Sequence, residues 1–216
     1  TNFIDANFLT STYLLENLQN YNIKRLVVCS SFSVYGKPST LPIYENSKTM
    51  PTNNYGFSKL LMEKAFEYFS NINNMNVVVL RFDGIYGPNQ SLPGFINMAI
   101  KTMKKNEDLV IFNRGAQLRN QIYIDDVIKS IQLSLKADLK ENYNVFNIAG
   151  EKPISNKNLS HKLRNILKSK SNIILSNQGN PLRNYNIYMS ISKSKKLIKY
   201  KPDSIENNLR KMLKEI

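Results

Sequence analysis

Residues 26–31 read Leu-Val-Val-Cys-Ser-Ser, an apolar run that ends in two hydroxyl side chains. A second run, Val-Val-Val-Leu, occupies residues 77–80. A short continuous apolar run predicts a strand that is buried on both faces, as in a parallel sheet. Apolar spacing predicts helices over about 8–18 and 54–69. This alternation of helices and strands predicts an α/β fold with a doubly wound parallel sheet.

A turn at Tyr86-Gly87-Pro88-Asn89 marks a change of character along the chain. Beyond it, apolar periodicity predicts further helices over about 95–104, 125–135, 155–167 and 204–216. Short apolar runs predict strands over about 109–112, 121–124, 143–148 and 172–175. The chain is therefore predicted to continue as α/β structure to its end.

Composition narrows the classes of function that need to be considered. The chain has 216 residues and a formal net charge of +14, and its single cysteine excludes an internal disulfide. The sequence contains no run of about 18 apolar residues, which a membrane span would need, and no signal peptide is visible. We therefore expect a cytoplasmic protein. The charge allows an anionic partner such as nucleic acid, but the lysines are dispersed, which favours solvated surfaces instead.

A tyrosine and a lysine four residues apart carry the clearest chemical signal. Tyr55 and Lys59 fall within the helix predicted over 54–69, so they share one helix face. An ammonium close to a phenol favours the ionised phenolate. Ser31, at the end of the first predicted strand, could hydrogen-bond the same reacting oxygen. These groups could move a proton at an alcohol or ketone while a cofactor moves the hydride.

Motifs in a fixed order along nearly the whole chain extend this signal. They are the segment 24–31, Val34-Tyr35-Gly36, Tyr55-x-x-x-Lys59, Leu80-Arg81-x-x-x-Ile85-Tyr86-Gly87-Pro88, the segment 115–127 around Arg119, and Phe146-Asn147-Ile148-Ala149-Gly150. The ordered set resembles the extended short-chain dehydrogenase/reductase family. Within that family it resembles the NAD-dependent epimerase/dehydratase branch, which acts on nucleotide sugars.

The resemblance implies a fold, a cofactor and three catalytic residues. Residues 1–88 would be the remaining part of an NAD(P)-binding Rossmann domain, and 89–216 mainly a smaller α/β substrate-binding lobe with segments that return to the first domain. The cofactor would be NAD or NADP. Tyr55 would be the acid/base, Lys59 would support its phenolate and hold the nicotinamide ribose, and Ser31 would hydrogen-bond the reacting hydroxyl.

The resemblance also implies binding residues outside this set. Phe82 and Ile85 would contact the cofactor together with Tyr55 and Lys59. Gly84 stands where many nucleotide-sugar epimerases have a substrate-contacting asparagine. Arg119 and Arg183 stand where the family places arginines that bind the substrate diphosphate. A planar guanidinium suits phosphate oxygens, although surface arginines that pair with carboxylates remain the alternative interpretation.

The serine segment, which comprises residues 29–36, distinguishes between the possible reactions. Members of the family that eliminate water carry an Asp-Glu pair directly before Val-Tyr-Gly, and Phe32 and Ser33 stand there in this chain. Protonation of a leaving hydroxide is difficult without a carboxylic acid at that place. The sequence therefore predicts a nucleotide-sugar epimerase or reductase, which the resemblance associates with surface-polysaccharide sugars.

A glycine-rich phosphate-binding turn is absent from the sequence. The family opens with such a turn, so we expect the chain to be the C-terminal part of a longer enzyme. A non-catalytic ligand-binding or scaffold protein remains an alternative. No residue cluster has metal-ligand spacing, and no nucleic-acid motif is present. The resemblance allows a homodimer that forms through the helix bearing Tyr55 and its neighbour.

Overall fold

The structure is a computed structural model that describes residues 2–91, 94–179 and 185–216. Its α-helices are α1 (Thr10–Leu18), α2 (Asn54–Asn73), α3 (Phe95–Lys104), α4 (Ile124–Lys136), α5 (Asn156–Leu167), α6 (Ser192–Leu197) and α7 (Ile205–Glu215). Its strands are β1 (Leu26–Ser31), β2 (Val77–Phe82), β3 (Ile85–Tyr86), β4 (Leu109–Ile111), β5 (Leu118–Arg119), β6 (Ile122–Tyr123), β7 (Tyr143–Ile148), β8 (Ile154–Ser155) and β9 (Ile173–Leu175). Within the described ranges, no helix is both long and apolar enough to cross a membrane.

The predicted α/β class is confirmed, and several boundaries differ from the sequence-based expectation, among them the helix predicted over 54–69, which continues to Asn73. The helix predicted over 8–18 is an α-helix only from Thr10, because residues 4–9 form a π-helical segment. The strand predicted over 121–124 contains only two residues, because Ile124 already begins α4. The short strands β3, β5 and β8 were not predicted, since two residues carry no measurable periodicity.

The chain divides into two compact units. The first unit consists of Thr1–Asp83, Val127–Ile148 and Met189–Lys201, and the second consists of Gly84–Asp126, Ala149–Tyr188 and Pro202–Ile216.

The first unit contains a parallel sheet in the order β1-β2-β7. Every residue of the central strand β2 is buried, as expected for a strand that is covered on both faces. The register pairs Ser31 with Phe82 and Phe82 with Ile148, so these three residues end their strands at one edge of the sheet. Ligands of open parallel sheets bind outside this carboxyl-terminal edge.

Helices α1 and α2 contribute to an apolar core within the first unit. Leu15 of α1 and Met62 and Phe66 of α2 are buried together with Val28 and Val79 of the sheet. Hydrophobic burial of this kind attaches a helix to a sheet without fixing its direction, because the driving force is not directional. Polar contacts between α2 and the strands add the directional constraint that this burial lacks.

The second unit has a separate core and only short strand pairs. Its buried apolar residues come mainly from α3, α5 and α7, with the pairs β3-β6, β4-β9 and β5-β8 beside them. The pairs β3-β6 and β4-β9 are parallel, and the pair β5-β8 is antiparallel. This unit is thus stabilised largely by contacts between helices.

A buried ion pair joins α2 to the central strand of the first unit. Arg81 donates from Nε to both carboxylate oxygens of Glu63, at 3.0 and 3.2 Å, and from Nη2 to Oε2 at 2.6 Å. The side chains are only 7% and 2% exposed. Arg81 also donates from Nη1 to the Tyr35 hydroxyl at 2.9 Å, and that hydroxyl donates to Asn147 Oδ1 of β7 at 2.6 Å. Burial of Tyr35 raises the pKa of its phenol to about 12, so it remains a neutral donor.

Removal of one charge from this pair should destabilise the fold strongly. In Glu63→Gln the Arg81 guanidinium would stay buried without a counter-charge, so we expect a loss of about 3–5 kcal/mol in the free energy of unfolding. Urea denaturation followed by circular dichroism measures it. The matched control is Glu67→Gln, because Glu67 pairs with Lys64 at 2.7 Å on the surface of the same helix. That variant should keep the midpoint of the parent chain, and equal midpoints in both variants would contradict the prediction.

Candidate active site

Ser31 lies at the end of β1, where the strand turns into a short 3-10 helix over residues 32–35. Its hydroxyl oxygen accepts a hydrogen bond from the backbone N–H of Ser33 at 3.2 Å, and it donates to the Ser33 hydroxyl at 3.2 Å. The side chain is buried. The strand end and this cap together hold the hydroxyl of Ser31 in one place at the carboxyl-terminal edge of the sheet.

The first turn of α2 lies directly against the serine segment. Asn53 caps the helix by accepting from the N–H of Gly56 at 2.8 Å. A Cβ on Gly56 would overlap the Ser33 carbonyl oxygen and would lie 2.9 Å from its carbonyl carbon. The glycine that follows Tyr55 thus permits the close approach of helix and loop.

Lys59 reaches from α2 back to β1. Its ammonium Nζ donates to the carbonyl oxygen of Cys29 at 3.0 Å. Burial lowers the pKa of Lys59, and the nearby Cys29 and Glu63 oppose this shift. Lys59 is therefore anchored within two residues of Ser31 along β1, with an ammonium that gives up its proton more easily than a solvated one.

Tyr55 is partly buried at the start of α2. Its ring packs edge-on against Phe3, with 5.6 Å between ring centroids. Its backbone carbonyl accepts from the Ser58 hydroxyl at 2.8 Å, and that hydroxyl accepts from the Asn7 side-chain amide at 3.0 Å. Because Tyr55 and Lys59 are one helical turn apart, they lie on the same side of α2.

The structure therefore brings Ser31, Tyr55 and Lys59 into one unit, two of them on a helix that is docked on the strand of the third. Phe82 is buried at the end of β2 and is paired in register with Ser31. A hydroxyl, a phenol and an ammonium are together suited to proton exchange with an alcohol or ketone.

The other predicted binding residues belong to the second unit. Ile85 is exposed in β3. Gly84 has no side chain, and its backbone carbonyl oxygen accepts a hydrogen bond from the N–H of Ile122 at 3.0 Å. A Cβ on Gly84 would make ordinary contact with Gln121 at 3.5 Å, so sterics do not require glycine there.

Arg119 is half-buried in β5. Its Nη1 donates to the carbonyl oxygens of Leu118 and Tyr185, at 2.9 and 2.8 Å, and the guanidinium carbon lies 5.9 Å from the centre of the Tyr185 ring. Backbone acceptors therefore fix the position of its guanidinium. Arg183 lies outside the described residues.

Sequence reasoning missed two residues that shape this site. Gly56 was not singled out, although a glycine directly after the candidate tyrosine was a usable signal. Ser30 was also overlooked beside Ser31, because only the contact with Glu63 at 2.5 Å distinguishes it. No local pattern predicts that contact, since 33 residues separate the partners.

The model of the NAD-dependent epimerase/dehydratase family matches residues 1–149. The chain belongs to that family. Among curated relatives, the UDP-glucuronate 4-epimerase of Thermodesulfobacterium geofontis is 28% identical over 214 residues, which cover 97% of this chain and 64% of the relative. The dTDP-D-glucose 4,6-dehydratase of Dictyostelium discoideum is 31% identical over 179 residues, which cover 76% of this chain and 40% of the relative.

A solved structure agrees with this family assignment. UDP-glucuronic acid 4-epimerase from Bacillus cereus, in complex with NAD, superposes with a TM-score of 0.82 at 27% identity, covering 94% of this chain and 63% of that one. The predicted Rossmann-type fold is thereby confirmed. The chain described here thus spans between two fifths and two thirds of the length of these three family members.

The residues present fit one half of a nicotinamide dinucleotide. Phe82 ends its strand beside Ser31 at the edge where such ligands bind, and the Lys59 ammonium is directed to the same strand end. The 216 residues contain no glycine-rich phosphate turn. The fit therefore concerns the reactive nicotinamide half and not the pyrophosphate.

A methyl group at Gly56 should push α2 away from the serine segment. Overpacking against the Ser33 carbonyl predicts a loss of about 1–3 kcal/mol in unfolding free energy for Gly56→Ala. Chemical denaturation measures the loss. Gly84→Ala is the control, because a Cβ at Gly84 would lie 3.5 Å from Gln121, an ordinary contact. Equal losses in the two variants would mean that the approach to Ser33 imposes no constraint.

Proposed function

We propose that the complete polypeptide containing this chain is an NAD(P)-dependent nucleotide-sugar epimerase or reductase. The docking of the Tyr55/Lys59 helix on the strand end that carries Ser31 is the observation that supports it most. In the proposed enzyme it would bring an acid/base, a cation and a hydroxyl to the place where a sugar carbinol reacts. The proposal that the product is used for surface polysaccharide rests on the family resemblance. The proposal of a cytoplasmic location rests on the single cysteine, which fits a reducing compartment.

The proton chemistry would belong to the three residues of the first unit. The Tyr55 phenolate would take the proton of the reacting sugar hydroxyl as the carbon becomes a ketone. Lys59 would stabilise the phenolate by its positive charge. The Ser31 hydroxyl would donate a hydrogen bond to the reacting oxygen and so orient it between the two partners. On the return step, Tyr55 would give the proton back to the same oxygen.

NAD or NADP, when bound, supplies the acceptor and the donor of hydride. Lys59 and Tyr55 would hold its nicotinamide ribose by hydrogen bonds, and Phe82 and Ile85 would provide apolar contacts. The NAD complex of the related Bacillus cereus epimerase supports NAD as the cofactor.

The substrate we propose is a nucleotide sugar, as the names of the relatives suggest. Arg119 would bind the diphosphate, because its backbone contacts hold the guanidinium in a fixed orientation and a fixed fork suits two phosphate oxygens. Arg183 would add a second such contact. Gly84 would leave room where related enzymes place an asparagine.

The serine segment favours epimerisation or reduction over dehydration. Phe32 and Ser33 stand where dehydratases have acidic residues, and Glu63, the buried carboxylate of α2, is committed to Arg81. A hydroxide leaving group would find no acid within the segment 29–36. The similarity to a 4,6-dehydratase therefore extends to the fold more than to this reaction.

Removal of the Tyr55 hydroxyl should abolish most of the turnover. In the complete polypeptide, Tyr55→Phe should lower kcat by about a hundredfold or more, since it removes the general acid/base, while KM changes little. Nucleotide-sugar interconversion followed by chromatography measures it. Tyr21→Phe is the control, because Tyr21 is an exposed tyrosine of the same unit, and it should retain the parent activity.

The rival hypothesis is a scaffold or ligand-binding protein without turnover. It predicts that the complete polypeptide converts no nucleotide sugar and reduces no cofactor. That result, or an unchanged kcat in Tyr55→Phe, would contradict the proposed function.

We also infer a homodimer that forms through α1 and α2. Phe57, Tyr68 and Ile72 are exposed on α2, and Tyr13 and Leu14 are exposed on α1. The α2 residues recur at intervals of eleven and four, which places them on one side of the helix. Exposed apolar residues on adjoining helices are typical of a protein–protein interface, and a second copy presents the same apolar surface.

Charges placed on this surface should weaken self-association. The double variant Tyr68→Glu/Ile72→Glu should shift the complete polypeptide from dimer to monomer in sedimentation equilibrium, because burial of two carboxylates is unfavourable. Met50→Glu changes an equally exposed apolar residue in a loop and should leave the dimer intact. A monomeric parent, or a double variant that still dimerises, would contradict this interface.

A further inference from the structure

Ser30 precedes the candidate catalytic serine and points to the opposite face of β1, since successive side chains of a strand alternate. It is buried, and its hydroxyl donates to Glu63 Oε1 at 2.5 Å. We propose that Ser30 is a positioning residue whose bond to Glu63 sets the register of α2 on β1 and thereby places Tyr55 and Lys59 relative to Ser31. This inference rests on the proposed function.

The contacts between the two elements specify one register. The strand offers an acceptor, the carbonyl of Cys29, followed by a donor, the hydroxyl of Ser30. The helix offers a donor, Lys59, and one turn later an acceptor, Glu63. A slip of α2 along β1 by one residue would lengthen both contacts, so the two bonds could not form together in the shifted register.

Glu63 can serve as a fixed anchor because Arg81 of β2 holds both of its oxygens. A hydroxyl bonded to an immobile carboxylate positions a helix more precisely than one bonded to a flexible chain. The apolar neighbours Met62 and Phe66 bury the same face of α2 but provide no directional constraint. The hydroxyl of Ser30 therefore links Glu63, the fixed anchor on α2, directly to β1, the strand that bears Ser31.

The electrostatics of Lys59 report on this register. Burial is the largest influence on the pKa of Lys59 and lowers it, and the titratable groups that oppose this shift are Cys29 of β1 and Glu63 of its own helix. If α2 moved away from the strand, Lys59 would be better hydrated and its pKa would rise toward the ordinary lysine value. This change can be observed without turnover.

The test replaces Ser30 by alanine in the complete polypeptide. Ser30→Ala should lower kcat by about tenfold with KM changed by less than about twofold, because misplacement affects the reaction more than binding. It should also raise the pKa of Lys59, measured by NMR after 13C reductive methylation. Ser30→Thr retains the hydroxyl and should keep the parent kcat and the parent titration.

The control is Ser70→Ala on the same helix. Ser70 is also buried, and its hydroxyl donates to the Met75 carbonyl at 2.7 Å at the far end of α2, so its loss removes a comparable hydrogen bond away from the site. This variant should keep the parent kcat and the parent Lys59 titration.

The outcomes separate this inference from the proposed function. If Ser30→Ala loses stability like Ser70→Ala but keeps the parent kcat and Lys59 titration, Ser30 is only structural and the positioning role is wrong. If the parent is inactive while Lys59 still shifts in Ser30→Ala, the proposed enzyme is wrong but the positioning of α2 stands.

Discussion

The buried ion pair between Glu63 and Arg81 is the contact on which the candidate site depends. Two charges removed from water are costly unless hydrogen bonds replace their hydration. Here three bonds join the pair, Ser30 donates to the carboxylate, and the Tyr35 hydroxyl and the Glu45 carbonyl accept from the guanidinium. The pair therefore acts as a fixed polar centre within an apolar layer, and the elements that supply its partners are held in one arrangement.

The chemistry of the site follows from this arrangement because its groups lie on elements that the pair connects. Tyr55 and Lys59 precede Glu63 on α2, and Ser31 follows Ser30 on β1. Apolar burial attaches the helix, the polar bonds set its register, and Gly56 allows its first turn to touch the serine segment. The polar bonds thus add a directional constraint on the phenol and the ammonium that hydrophobic burial does not supply.

Local patterns predicted the elements of the first unit but not their polar contacts. The apolar runs at 26–29 and 77–80 became β1 and β2, and the helical spacing over 54–69 became α2, since these signals depend on neighbours in sequence. The family motifs indicated the roles of Ser31, Tyr55 and Lys59. The Glu63–Arg81 pair was not predictable, because its partners come from different elements. The backbone contacts of Arg119 and the division into units also depend on the assembled fold.

The division into units separates two kinds of residue. Ser31, Tyr55 and Lys59, which would carry the proton chemistry, belong to the first unit, whereas Gly84 and Arg119, which would choose the substrate, belong to the second. Each group is held by contacts within its own unit, the first by the Ser30–Glu63–Arg81 bonds and the second by the backbone carbonyls that bind Arg119. If the chain is part of the proposed enzyme, we expect substitutions in the second unit to alter substrate choice, while the bonds between Lys59 and β1 and between Glu63 and β2 remain within the first unit.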